Sequence, residues 1–133
     1  LALYRDLTAA MRQELVVSAH DCSDGGFAVA LAEACFGADS GCSVDISEIF
    51  SDNNGLDKWG ALFGESLGRI LVSVKAEHSA KFEAAMSSNA CFRLGEVGRG
   101  DEITISKSGE IILQASMLSL KQSWQATLDG GGA

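Results

Sequence analysis

Residues 18–37 read SAHDCSDGGFAVALAEACFG, a His, two Asp, two Ser and a Gly-Gly pair set ahead of an apolar run. His20 and Asp21 are of the types that serve as acid and base or that position a nucleotide. The same pair can equally close a turn, with His20 bonded to backbone. Ser23-Asp24-Gly25-Gly26 can form a cradle, because two glycines admit a close approach and a helix start offers free N–H groups to an anion. The Asp24 carboxylate opposes direct phosphate contact unless a cation intervenes or its side chain turns outward, so phosphate binding and plain turn geometry both stand. A second group lies in FGESLGR, residues 63–69. Glu65 can accept from a ligand amine or hold a cation, and Arg69 can take an anion or pair with Glu65. A surface turn with a local ion pair is the alternative.

Other reactive side chains read more plainly. Glu33 is the lone charge between Phe27 and Phe36. Burial without a partner is costly, so it is expected on a solvent-facing or cleft-facing stripe, with solvent the first choice. Trp59 and Trp124 are of a type that stacks on ligands, but core or interface packing is the expectation. His78 is expected to be solvated. Four cysteines lack CxxC spacing. Cys35 and Cys42 read as small core residues, and no metal is expected. There is no P-loop, no nucleophile motif and no carboxylate cluster for two metals, so no residue is given a catalytic role.

The elements that must carry these residues follow from pattern. The chain has 133 residues and is 47% apolar, a globular composition sufficient for one modest domain. The longest apolar stretch, FAVALA, is too short to span a membrane. Ten basic residues against eighteen acidic ones give a net charge of −8, with no basic patch, so nucleic acid is not an expected partner. Free thiols without a signal segment point to the cytoplasm. The first residue is Leu1, which suggests a processed chain or one cut from a longer protein.

Leu3, Leu7, Ala10, Met11 and Leu15 repeat with a helical period. LVVSA reads as a strand, and Ser23 or Asp24 as the cap of a well-covered apolar helix that leaves at Gly37. Cys42, Val44 and Ile46 alternate in a half-buried strand. EIFSDNNGLDK is a surface loop, KWGALFGESLG a short helix and turn, and RILVSVK the clearest strand. AEHSAKFEAAMSS is a surface helix resting on Ala80, Phe82, Ala85 and Met86. ACFRLGEVGRG gives a strand and a turn, and a KSGE turn joins two further strands. SLKQSWQATL is a final helix with Leu120, Trp124 and Leu128 on one face, and DGGGA a frayed end. The class is α+β, a mixed or antiparallel sheet packed with helices. A Rossmann arrangement is excluded, since no G-x-G-x-x-G follows the first strand.

The blocks VVSAHDCSDGGFAVALAEACFG, ALFGESLGRILVSVK, RLGEVG and LKQSWQATL together resemble the C-terminal portion of phosphoribosylformylglycinamidine synthase. ILQASMLSLKQSW resembles the small, glutaminase-lacking form, synthase subunit II. The resemblance implies the fold shared with aminoimidazole ribonucleotide synthetase, with residues 1–133 a single C-type domain of a larger, internally duplicated enzyme. It implies an ATP-dependent carbon–nitrogen ligase that converts formylglycinamide ribonucleotide and glutamine-derived ammonia to formylglycinamidine ribonucleotide, ADP and phosphate. Magnesium accompanies the nucleotide, and a glutaminase subunit and a small third subunit are the partners. His20, Asp21, Ser23, Asp24, Gly25 and Gly26 match the family's His-Asp-x-Ser-(Asp or Glu)-Gly-Gly stretch. They are expected at an inter-domain face, with the principal ATP and magnesium ligands on domains outside this chain. The family's Glu-Ser-Gln motif reads Glu65-Ser66-Leu67 here, and Leu67 cannot supply the amide hydrogen bonds of Gln. The cofactor-side candidates are therefore Asp21, Ser23, Asp24, Gly25, Gly26, Glu65 and Ser66, in an auxiliary role. A related synthetase or kinase of the same fold, or a non-catalytic scaffold for partner subunits, are the alternatives.

Overall fold

The computed structural model describes residues 2–38, 40–49, 57–98 and 100–128. The helical period near the start forms α1 (Ala2–Arg12), which buries Leu7 and Ala10. The helix stops before Leu15. Glu14 takes a φ of 57°, and the N–H groups of Glu14 and Leu15 bond back to Met11 and Ala10 at 2.9 and 3.2 Å. This left-handed helix end is usually made by glycine. It drops Leu15 into the core and leaves Met11 exposed, against the expectation from spacing.

The strand expected over LVVSA lies further on. β1 (Ser18–Asp21) includes His20 and Asp21 themselves. α2 (Gly26–Ala38) follows and is covered on most sides, with Phe27, Ala30, Leu31 and Cys35 buried. Gly37 falls inside its last turn rather than beyond it. β2 (Cys42–Asp45) alternates as expected, with Cys42 and Val44 inward, followed by buried Ile46. Most of the expected surface loop, residues 50–56, lies outside the described residues, as does the tail DGGGA.

α3 (Lys58–Phe63) starts at Asp57, whose carboxylate accepts from the Gly60 N–H at 2.6 Å. β3 (Ile70–Ser73) pairs antiparallel with β1, Ser18 opposite Ser73 and Asp21 opposite Ile70. A 3-10 turn at Ala76–His78 leads into α4 (Ser79–Ala85). Phe82 and Met86 are buried there, but Ala80 is exposed. His78, expected in solvent, is half-buried, and its Nδ1 is enclosed with no partner. β4 (Gly95–Val97), β5 (Glu102–Lys107), β6 (Glu110–Ser116) and α5 (Met117–Leu128) complete the fold.

The architecture is α+β. A four-stranded sheet in the order β4-β2-β5-β6 is mixed, with β2 and β5 parallel and the other pairs antiparallel. β1 and β3 form a separate two-stranded sheet. Two apolar clusters result. One lies among α2, α3 and the larger sheet, centred on Leu31, Ile46, Leu62, Ile103 and Ile105. The other joins α1 to α4 through Leu7, Leu15, Phe82 and Met86, with Ile70 and Val72 of β3 packed against it.

The β5–β6 turn is the expected one, with Ser108 and Gly109 at φ 52° and 83°. It is tied to β2 by Asp45. One carboxylate oxygen accepts from the Ser47 N–H at 2.8 Å and from the Ser47 hydroxyl. The other accepts from the Ser106 hydroxyl at 3.0 Å and the Gly109 N–H at 3.4 Å. These donors, the Ser47 hydroxyl foremost, lower the Asp45 carboxyl from 3.8 to about 2. A carboxyl depressed in the folded state adds stability above its unfolded pKa and loses it as pH falls through the folded value. Wild type should therefore lose its advantage over Asp45→Asn between about pH 4 and about pH 2 in urea unfolding. An advantage that stays constant over that range would contradict this account of Asp45.

Candidate functional site

The two sequence groups meet at one concavity of about 250 Å³. Asp21, Ser23 and Asp24 line it from the end of β1, and Glu65, Leu67 and Arg69 from the connection between α3 and β3; Tyr4 of α1 lies on the rim. Side chains alternate along a strand. Asp21 accordingly lines the concavity, while His20 reaches Glu33 on α2 with Nε2 2.8 Å from Oε2. Ser66 is exposed beside Glu65 and is not among the lining residues.

The loop turns on its two glycines. Gly25 and Gly26 have φ of 76° and 70°, where other residues are strained. A Cβ on Gly26 would stand 2.7 Å from the carbonyl carbon of Phe63 and 2.8 Å from the oxygen of Gly64, which is backbone that cannot swing aside. A Cβ on Gly25 would meet the Val29 side chain at 2.5 Å. The start of α2 is thus pressed against the end of α3.

That contact brings in the group that satisfies the helix start. The Gly25 N–H donates to Glu65 Oε1 at 3.1 Å. Neither Ser23 nor Asp24, the expected caps, makes a side-chain hydrogen bond among the described residues. A carboxylate from forty residues away occupies a position where a helix start favours negative charge. A phosphate approaching the Gly25 N–H must displace Glu65.

Arg69 is committed elsewhere. Its guanidinium donates to the carbonyls of Ala61, at 3.0 Å, and Gly64, closing the C-terminal end of α3. The ion pair with Glu65 that local sequence suggested is absent among the described residues. The concavity therefore presents three carboxylates, Asp21, Asp24 and Glu65, and a guanidinium already bound to carbonyls. This surface suits hydroxyl and amino groups or a cation-shielded phosphate. Asp21, Asp24 and Glu65 do not converge as a metal-holding group; none of three or more His, Cys, Asp or Glu occurs among the described residues.

Glu33 corrects the expectation of a simple solvated charge. Only about a third of its side chain is exposed. Besides His20, it accepts from Trp124 Nε1 at 3.2 Å. Trp124 also tilts against Phe36, with ring centroids 6.0 Å apart. One carboxylate therefore joins β1, α2 and α5. The only sequence signal was a single charge in an apolar helix, which marks a polar partner without naming it. Trp59, by contrast, is not core. It is half-exposed and stacks on Phe63 at 6.2 Å, with Lys58 Nζ 5.2 Å from its ring.

Residues 2–108 match the family described as AIR synthase related protein, C-terminal domain. The chain is 37% identical over 129 residues to phosphoribosylformylglycinamidine synthase subunit PurL of Thermobifida fusca (strain YX), covering 96% of this chain and 16% of that protein. It is 36% identical over 124 residues to the subunit of that name from Lactobacillus helveticus (strain DPC 4571), covering 93% and 15%. The chain thus spans about one sixth of the length of the curated relatives it matches. Among solved structures, T. maritima PurL complexed with ATP superimposes with a TM-score of 0.79 over 90% of this chain and 21% of that one. The structure of PurLQS from Thermotoga maritima gives the same TM-score and coverage. Both are 17% identical, a likeness that shows the fold.

Two stability measurements check this geometry. Gly26→Ala should lower unfolding stability by roughly 2 kcal/mol or more, since it adds left-handed strain to a backbone clash. Gly37→Ala, in helix with nothing within 4 Å of the new methyl, should raise it by about 0.5–1 kcal/mol. Equal effects of the two would refute the close approach. In a Glu33→Ala and Trp124→Phe double-mutant cycle, the pair should couple by about 0.5–1 kcal/mol. Strict additivity would mean that their hydrogen bond holds nothing in place.

Proposed function

The chain belongs to the family of AIR synthase related C-terminal domains, and on that premise we propose that it is one domain of a small, glutaminase-lacking phosphoribosylformylglycinamidine synthase. The observation that carries this reading is the 37% identity to one such subunit along 96% of the chain. Residues 1–133 form a single C-type domain of that enzyme. The whole enzyme works in purine synthesis. It transfers a phosphoryl group from ATP to the amide oxygen of formylglycinamide ribonucleotide, and ammonia then displaces that oxygen.

This chain's part is positioning. Asp21, Ser23, Asp24 and Glu65 form a rim that borders a site built largely by other domains, with Gly25 and Gly26 in the turn behind it and Ser66 exposed beside Glu65. Gly25 and Gly26 hold the rim's shape, and Glu65 fixes the start of α2 through the Gly25 N–H. The carboxylates offer acceptors to ribose hydroxyls and amino groups. No catalytic residue is assigned to the chain. Its carboxylates do not fit a magnesium site, so the ion is assigned to ligands outside it, with the nucleotide. The T. maritima proteins with this fold are described as PurL complexed with ATP and with FGAR, and as PurLQS. By analogy the partners here are the remaining domains of the synthase, a glutaminase subunit and a small third subunit, in the cytoplasm. No described helix is long and apolar enough to cross a membrane.

One observation favours a purely supporting role. Leu67, which stands where the family motif has Gln, is fully exposed and offers a ligand no hydrogen bond. The two readings separate in the full-length synthase supplied with ATP, substrate and ammonia. Gly25→Val should lower kcat/KM about tenfold or more, because displacing a site rim by a fraction of an ångström is enough to do so. Unchanged kcat/KM, with partner subunits still bound, would favour the scaffold. The isolated 133 residues should show no turnover, and turnover by them would overturn the proposal.

A further inference from the structure

Strand β1 carries Asp21 to the concavity, yet it has little of its own to hold it in place. None of its four residues is buried. Among the described residues it pairs with β3 alone, in a sheet of two strands. A two-stranded ribbon without an apolar face is marginal by itself. Ser18 and His20 share one side of the strand, and each is hydrogen-bonded. Ser18 Oγ lies 2.6 Å from Ser73 Oγ, which ties β1 only to its own neighbour β3. His20 Nε2 lies 2.8 Å from Glu33 Oε2. Among the described residues this is the one side-chain hydrogen bond from β1 to a helix.

Glu33 is in turn held from elsewhere. Its two oxygens have separate donors, His20 on Oε2 and Trp124 Nε1 on Oε1 at 3.2 Å. A carboxylate only accepts, so His20 presents the N–H of Nε2. Trp124 rests on Phe36 of α2, with ring centroids 6.0 Å apart. Helix α5 is anchored by Met117, buried in the larger apolar cluster, and by Leu120, packed against it. A phenylalanine at position 124 would keep the contact with Phe36, but only the indole N–H can fix the carboxylate. The side chains of His20 and Glu33 are 39% and 34% exposed, and a partly solvated pair adds little to overall stability. What the chain of contacts provides is direction. It runs from the core through α5, Trp124 and Glu33 to His20. Asp21 is the next residue, on the opposite side of the strand, so a roll of β1 that releases His20 also shifts Asp21 at the concavity.

We propose that Trp124 and Glu33 are positioning residues, which act through His20 to set the strand end that presents Asp21 and so tune ligand affinity at the concavity without touching the ligand. This inference rests on the reading of the concavity as the rim of the synthase site.

Two measurements on the full-length synthase test it, and one is blind to activity. The first is amide hydrogen exchange without ligand. Trp124→Phe and Glu33→Ala should each speed exchange about threefold or more in the peptide covering residues 17–22, and leave the peptide covering β5 unchanged. Glu33→Gln should restore wild-type exchange, because its amide can accept from Trp124 and donate to the other tautomer of His20. The second is steady-state kinetics with ATP, formylglycinamide ribonucleotide and ammonia. Trp124→Phe and Glu33→Ala should raise KM for at least one of the two nucleotides about threefold or more, with kcat within about twofold, and Glu33→Gln should restore KM. A merely structural loss reduces the amount of active enzyme, which lowers kcat at unchanged KM. That outcome overturns the proposal, as does unchanged exchange over residues 17–22. A wild-type protein without synthase activity would overturn the ligase reading and with it the link to affinity, while the exchange result would still decide whether α5 holds the strand.

Discussion

The arrangement of the candidate site depends on the approach of one backbone to another at Gly26. The start of α2 lies so close to Phe63 and Gly64 that a single methyl group would collide with main chain. Everything at the candidate site follows from that closeness. It brings Glu65 to the Gly25 N–H and seats α3 against α2. It also sets the connection to β3 beside the end of β1, where the Cys22 N–H reaches the Arg69 carbonyl at 2.9 Å. Residues 22–26 and 64–69 therefore hold each other.

The mutual hold changes the chemistry of the loop. A glycine-rich turn before a helix offers an anion site only while its N–H groups are free. Here the chain supplies the anion itself. The acidic rim and the engaged Arg69 leave a surface whose acceptors suit hydroxyl and amino groups better than a bare phosphate.

Charges set in apolar elements act elsewhere as ties. Glu33 joins β1, α2 and α5, and Asp45 fixes the β5–β6 turn to β2. Asp6 on α1 accepts from Ser88 at 2.7 Å and Asn89 at 3.0 Å just beyond α4. Each carboxylate gathers donors from a segment distant in sequence, Asp45 within the larger sheet, Asp6 between α1 and the end of α4, and Glu33 among β1, α2 and α5.

The sequence by itself determined the elements and the class. Alternation at Cys42, Val44 and Ile46, the Ser108-Gly109 turn and the apolar run of α2 are local patterns with local causes, and the wording of residues 18–37 marked the family. Boundaries failed where a non-local contact competed with local pattern. β1 starts late because its register is set by β3, and α1 ends early because Glu14 adopts a conformation that spacing does not reveal. Only the tertiary structure decided what each charge does. That Glu65 caps α2, that Arg69 closes α3 and that His20 turns to Glu33 depend on pairs separated by forty, eight or five, and thirteen residues. A hydrogen bond is specified by where two groups end up, and a linear pattern carries the types of those groups without their distance.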